Sequence, residues 1–98
     1  MKQAVANAPG LVSFRHHTDE GYFYIVFENE SHDGATFEIN LLFKEGAKNM
    51  EIMYPERGCP EHKFQLSSGQ SKVLIAKRLN LKEGCSIPYQ FTTKPISH

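Results

Sequence analysis

The sequence predicts an all-β protein, an antiparallel β-sandwich of seven or eight strands. Three observations carry this expectation. Apolar and polar residues alternate with period two along several short runs. That is the signature of half-buried strands, because successive side chains of a strand point to opposite faces. Clusters of Gly, Asp and Ser separate the runs at intervals of roughly 8–15 residues, a spacing typical of sandwiches and barrels. The 7 Phe and 4 Tyr supply an aromatic core without any Trp.

The runs follow in order. LVSFRHH, from Leu11, is the weakest. Tyr22 to Phe27 lie in GYFYIVFENE, rich in aromatic and β-branched residues. In ATFEINLLF, Phe37, Ile39, Leu41 and Phe43 fall on one face, with Thr36, Glu38 and Asn40 on the other. Met50, Ile52 and Tyr54 continue the alternation, followed by Phe64 and Leu66. SKVLIAKRL begins at Ser71. It reads as a strand rather than a helix, because Val73, Ala76, Lys77 and Asn80 make a poor apolar stripe whereas Val73-Leu74-Ile75 suits a buried strand. Ile87, Tyr89 and Phe91 form the last run. Pro88 removes a backbone donor there, which predicts an edge strand or a bulge. Turn signals stand at Thr18–Gly21, His32–Gly34, Glu45-Gly46, Pro55–Pro60, Ser68-Gly69 and Glu83-Gly84. The expected organisation is a flexible N-terminal segment (residues 1–10), a sandwich domain (11–94) and a short tail (95–98).

Composition narrows the function. The 98 residues suit a single domain, large enough to bury one core without staples. Eleven basic and 11 acidic residues cancel, which withholds the basic footprint of nucleic-acid binding, so no nucleic-acid partner is expected. Neutrality gives no attraction to an anionic membrane either; peripheral membrane contact has no support. No stretch has the apolar length of a signal peptide or a membrane span, so no transmembrane segment is expected and the cytoplasm is the default location. Two cysteines are too few for a disulfide scaffold. Asn29-Glu30-Ser31 matches the glycosylation triplet, but without a signal peptide it reads as chance.

If the strands run antiparallel in chain order, successive turns alternate between the two ends of the sandwich. The turns near Asp19, Glu45 and Ser68 would then share one end. Those near Asp33, Pro55–Glu61 and Asn80–Gly84 would share the other. A calcium site needs converging carboxylates, and the two Asp residues, Asp19 and Asp33, fall at opposite ends. His32, Cys59, His62 and Cys85 would meet at one end. Cys and His are the ligands zinc prefers, so these four are the candidate metal set, although their spacing matches no zinc template. A Cys59–Cys85 contact or disulfide is the other reading of the thiols. His16 and His17, adjacent on a strand, point to opposite faces and cannot chelate one ion together. No GxSxG, P-loop or GxGxxG motif is present, and Cys59 beside Pro60 makes a poor nucleophile. The protein is therefore expected not to be an enzyme, and no cofactor is expected.

Interaction is the reading that remains. Tyr22, Phe23, Tyr24 and Phe27 place aromatics on both faces of one strand. A central strand with one open face would leave Tyr22 and Tyr24 outside to anchor a partner. Met53 and Tyr89 are added because they interrupt or oppose the better core face. These four residues are the candidate protein-binding set. A metal- or lipid-dependent binding domain, with zinc or calcium at the loop ends, is the alternative.

The segments YFYIVFENESHDGATFEINLLFKEGAKNMEIM, FQLSSGQSKVLIAKRLN and GCSIPYQFTT resemble the accessory β-sandwich found beside calpain-type protease cores. They are similar in particular to the C-terminal domain of the small-optic-lobes branch and to small calpain-related proteins. The shared features are an apolar strand ending in Phe27-Glu28-Asn29, an alternating strand after it, and a late SKVLIAKRLN-like run. Immunoglobulin-like modules have a similar rhythm. Calpain catalysis uses a Cys followed by Trp, whereas Cys59 precedes Pro60, so no catalytic residue transfers. The resemblance implies a regulatory or interaction domain.

Overall fold

In the computed structural model, residues 3–6 and 8–96 are described. Eight strands form: β1 (Gln3–Ala4), β2 (Leu11–His17), β3 (Tyr22–Asn29), β4 (Thr36–Phe43), β5 (Met50–Tyr54), β6 (Glu61–Leu66), β7 (Ser71–Arg78) and β8 (Tyr89–Ile96). They make a β-sandwich of a five-stranded sheet, ordered β1-β2-β3-β7-β5, and a three-stranded sheet, ordered β6-β4-β8, with every pairing antiparallel. The run from Ser71 is a strand, as its β-branched triplet requires. The last run is an edge strand that begins directly after Pro88.

The core follows from the alternation. Phe23, Ile25 and Phe27 of β3 face Phe37, Ile39, Leu41 and Phe43 of β4, and Leu11, Leu66, Leu74 and Ala76 complete the layer. Phe27 lies at its centre, edge-on to Phe91 at 5.0 Å and to Phe64 at 5.7 Å. Burying each such side chain stabilises the fold by about 1.5–3 kcal/mol. Residues expected to form a flexible lead-in belong to this architecture. Gln3 and Ala4 pair with Ser13 and Val12, and Ala8 is buried in the core. Strand β8 likewise runs on to Ile96, so the sandwich spans more of the chain than residues 11–94.

The placement of the loops differs from strict alternation. β5 starts opposite Arg78 at the C-terminal end of β7, and β6 starts opposite Leu42 at the C-terminal end of β4. These strands follow each other in sequence, lie in different sheets and run in the same direction. The 55–60 connection folds back to allow this: Gly58 N donates to Ile52 O, and Phe43 N donates to Pro60 O. The turns at Asp19 and Glu45 therefore share an end with the Asn80–Gly84 loop, and Ser68 joins Asp33 at the other. Asn49 pins the first end. It sits at φ 59°, and its Nδ2 donates to Asn80 O at 2.7 Å while its Oδ1 accepts from Asn80 N.

The second end is clamped by Asn29, fully buried at the end of β3. Its Nδ2 donates to Ala35 O and, across the sandwich, to Leu66 O, both at 2.9 Å. Its Oδ1 accepts from Ser31 N at 3.0 Å and Ser31 Oγ at 2.6 Å. Every hydrogen-bonding position of the carboxamide is used, which is what allows a polar group to be buried there.

Candidate functional site

Register places the candidate residues. β3 is the middle strand of the five-stranded sheet. Its odd-numbered residues face the core, so Tyr22, Tyr24 and Val26 face outward. Across the pairings, Tyr24 lies between His16 and Ile75, and Val26 between Phe14 and Val73. Two adjacent rows of this face thus read Phe14–Val26–Val73 and His16–Tyr24–Ile75. The second row is extended by Tyr54, which pairs with Ile75. None of these positions carries Asp, Glu, Lys or Arg. His16 stacks towards Tyr24 at 6.3 Å, and Tyr22 tilts towards Tyr24 at 6.4 Å. Charge begins at the margin, where Lys77 Nζ sits 5.7 Å over the Tyr22 ring and Glu51 lies opposite Lys77.

The four candidate contacts do not form one surface. Tyr22 and Tyr24 share the outer face. Tyr89 points between the sheets, 6.4 Å from Phe23 and 6.2 Å from Phe43. Burial pushes its hydroxyl above the ordinary tyrosine range, partly opposed by Arg15 beside it. Met53 is the extra residue of a β-bulge, since Ile52 pairs with Ala76 and Tyr54 with the very next residue, Ile75. The bulge reverses the parity of the strand. Met50 and Ile52 pack on the core as their alternation indicated, but Tyr54 turns outward and is 47% exposed. Phe14, Tyr54, Val73 and Ile75 are therefore the surface residues that the alternation did not bring forward. For Val73 and Ile75 the signal is the near-continuous apolarity of VLIA in β7, where strict alternation lapses.

The candidate metal set is divided between the ends. His32 lies in the β3–β4 loop, whereas Cys85 lies in the β7–β8 loop at the opposite end, a consequence of the reversed β5–β6 connection. His62 is buried, with Nε2 2.8 Å from Cys59 O and its ring edge-on to Phe43 at 5.9 Å. Cys59 Sγ donates to Glu61 O, and both cysteines are free thiols. No three His, Cys, Asp or Glu residues converge among the described residues. His16 and His17 point to opposite faces as expected, His17 stacking on Phe23 at 4.6 Å. Asp33 accepts from Ala35 N at 3.1 Å, the bond of a turn-forming acid.

The outer face of the three-stranded sheet is polar. Glu38 bridges Lys63 and Lys94, each at 3.2 Å. These hydrogen-bonded ammonium groups, Lys63 foremost and then Lys94, hold its carboxyl below the ordinary range. Asn40, Lys63 and Thr92 form the adjacent row. No protein-family model matches the chain, and neither a curated protein nor a solved structure is found to be similar to it.

Proposed function

We propose that this protein is a non-catalytic, regulatory interaction module that docks a protein partner on the outer face of its five-stranded sheet. The observation that supports the reading is the uncharged lattice around Tyr24, with Phe14, Val26, Val73, Ile75 and Tyr54 about it. Apolar positions on both faces of β3 and β7 exceed what one core needs, and a contiguous apolar patch on a sandwich surface marks an interaction site. The two tyrosines bring rigid area and a hydroxyl each, the properties of interface anchors. The partner is a folded protein with an apolar centre and charges at its rim to meet Lys77 and Glu51. A place beside a calpain-type protease core rests on the resemblance of the strand segments.

The test uses a partner purified on the intact chain and measured by calorimetry. Tyr24→Ser is expected to weaken binding at least tenfold, consistent with an anchor of about 2 kcal/mol, while the protein stays folded and its melt falls by only about 5 °C. Affinity that is indifferent to Tyr24→Ser and to Val26→Lys would overturn the reading.

A further inference from the structure

The three-stranded sheet is narrower than the five-stranded sheet that covers it. Phe27 and Phe23 of β3 rest on Phe91 and Tyr89 of β8. Phe27 also touches Phe64 of β6, so β3 lies over the middle of the narrower sheet; β2 lies over β8, with Arg15 beside Tyr89, and β1 overhangs the free edge of β8. A groove runs under this overhang. Val5, Ser13 and Arg15 line it from above, and Tyr89, Phe91 and Thr93 form its wall.

The wall is a backbone template. Lys44 N donates to Pro88 O at 2.8 Å, whereas Phe43 N turns the other way and donates to Pro60 O at 2.7 Å. Bonded and non-bonded pairs alternate along an antiparallel ladder. Counting along the β4–β8 register from Pro88, the residues Gln90, Thr92 and Lys94 direct their backbone groups to β4. Tyr89, Phe91 and Thr93 direct their N–H and C=O groups into the groove. Pro95 is the next outward position and has no N–H, the setting in which an edge strand tolerates proline. The open template is thus bounded by Pro88 and Pro95, with three residues presenting donor and acceptor between them.

An open edge of this kind pairs with another strand, and the overhang decides which. A second sandwich joining β8 to β8 about a two-fold axis would bring its own β1 overhang into the space already held by the first. A single strand, about 4.8 Å from β8, meets no such obstacle. Charge narrows the choice further. Arg15 is the one charged side chain among the described residues that line the groove, and no acid is found among them.

We propose that this groove binds an extended peptide segment of another protein, which adds as a fourth strand beside β8 and places an acidic side chain against Arg15. The peptide's inward positions are small or β-branched, to fit beneath Ser13 and Val5, and its backbone pairs with Tyr89, Phe91 and Thr93. The site is independent of the Tyr24 face, on the other side of the five-stranded sheet.

The experiment is a selection of random decapeptides displayed on phage against the intact chain, followed by fluorescence titration of the enriched peptides as synthetic probes. Enriched sequences are expected to alternate β-branched residues and to carry Asp or Glu. Thr93→Pro removes one outward N–H and leaves the ladder to β4 intact, so it is expected to weaken binding about fivefold, the worth of one net hydrogen bond. Arg15→Glu should shift selection from acidic to basic peptides. Tyr24→Ser should leave peptide binding unchanged, which separates this site from the outer face. Circular dichroism and thermal melts establish that each variant is folded. Enrichment of no peptide overturns the proposal, as does equal binding to Thr93→Pro and the parent. A dimer in sedimentation that Thr93→Pro splits would also overturn it, by making a second copy the occupant.

Discussion

The two outer faces of the sandwich are built from the same period-two alternation and end up chemically opposite. Around Tyr24 on the five-stranded sheet, neighbouring strands contribute Phe14, Val26, Val73 and Ile75. Around Asn40 on the three-stranded sheet they contribute Lys63 and Thr92, with Glu38 tied to two lysines in the next row. Antiparallel sheets ordinarily leave one face to water. The three-stranded sheet carries the polar outer face that this arrangement predicts, whereas the five-stranded sheet carries apolar residues on both faces. The contrast teaches that alternation assigns a residue to a side, whereas the chemistry of the second side is set separately by which residues fill it.

The contrast can be broken most forcefully within β3 itself. Phe27→Ala removes the ring at the centre of the core and is expected to cost about 4 kcal/mol, read as a lower urea midpoint with an unchanged slope. Tyr24→Ser, three residues away on the outer face, should cost only about 1 kcal/mol, the value of a cross-strand aromatic pair. Equal losses at the two positions would mean that the Tyr24 face is core in all but name.

Asn40 tests the polar face. Its Oδ1 is buried and without a hydrogen-bond partner. Asn40→Val removes that acceptor and improves strand propensity, so the protein should gain about 1 kcal/mol, or roughly 5 °C in Tm. A fall in melting temperature by scanning calorimetry would show that the carboxamide supports the sheet.

The smallest effect belongs to Glu38. Its folded-state pKa lies below the ordinary carboxylate value near pH 4.3. The stabilisation is therefore present above that pH and is lost as pH falls through the lowered folded value. Glu38→Gln should flatten the stability–pH curve in that acidic window. The effect is modest because both lysine side chains are well exposed. An acid limb identical in the parent and Glu38→Gln would assign the pH dependence to other carboxylates.

Legibility in the sequence differed by kind of feature. Phe37, Ile39, Leu41 and Phe43 declared their shared face because alternation is a local property of the extended backbone. Tyr22 and Tyr24 could be assigned outward on condition that their strand be central, and pairing with β2 and β7 makes it so. Tyr54 was misplaced by one face because a bulge is invisible to counting: the sequence carries no mark of the extra residue at Met53. Tyr89 could not be told from a surface tyrosine, because its ring is half-buried against Phe23 and Phe43, which are distant in sequence.

By itself, the sequence determined the strands, most of the turns and the inward set of each strand, since these depend on residues two to four apart. Tertiary structure alone decided which loops share an end. The parallel course of β5 and β6 separates His32 from Cys85, and no local pattern encodes the direction in which a connection crosses from one sheet to the other. It also decided that one sheet overhangs the other, leaving the edge of β8 open in a groove. That follows from how five strands cover three, a relation between sheets that exists only once both are packed.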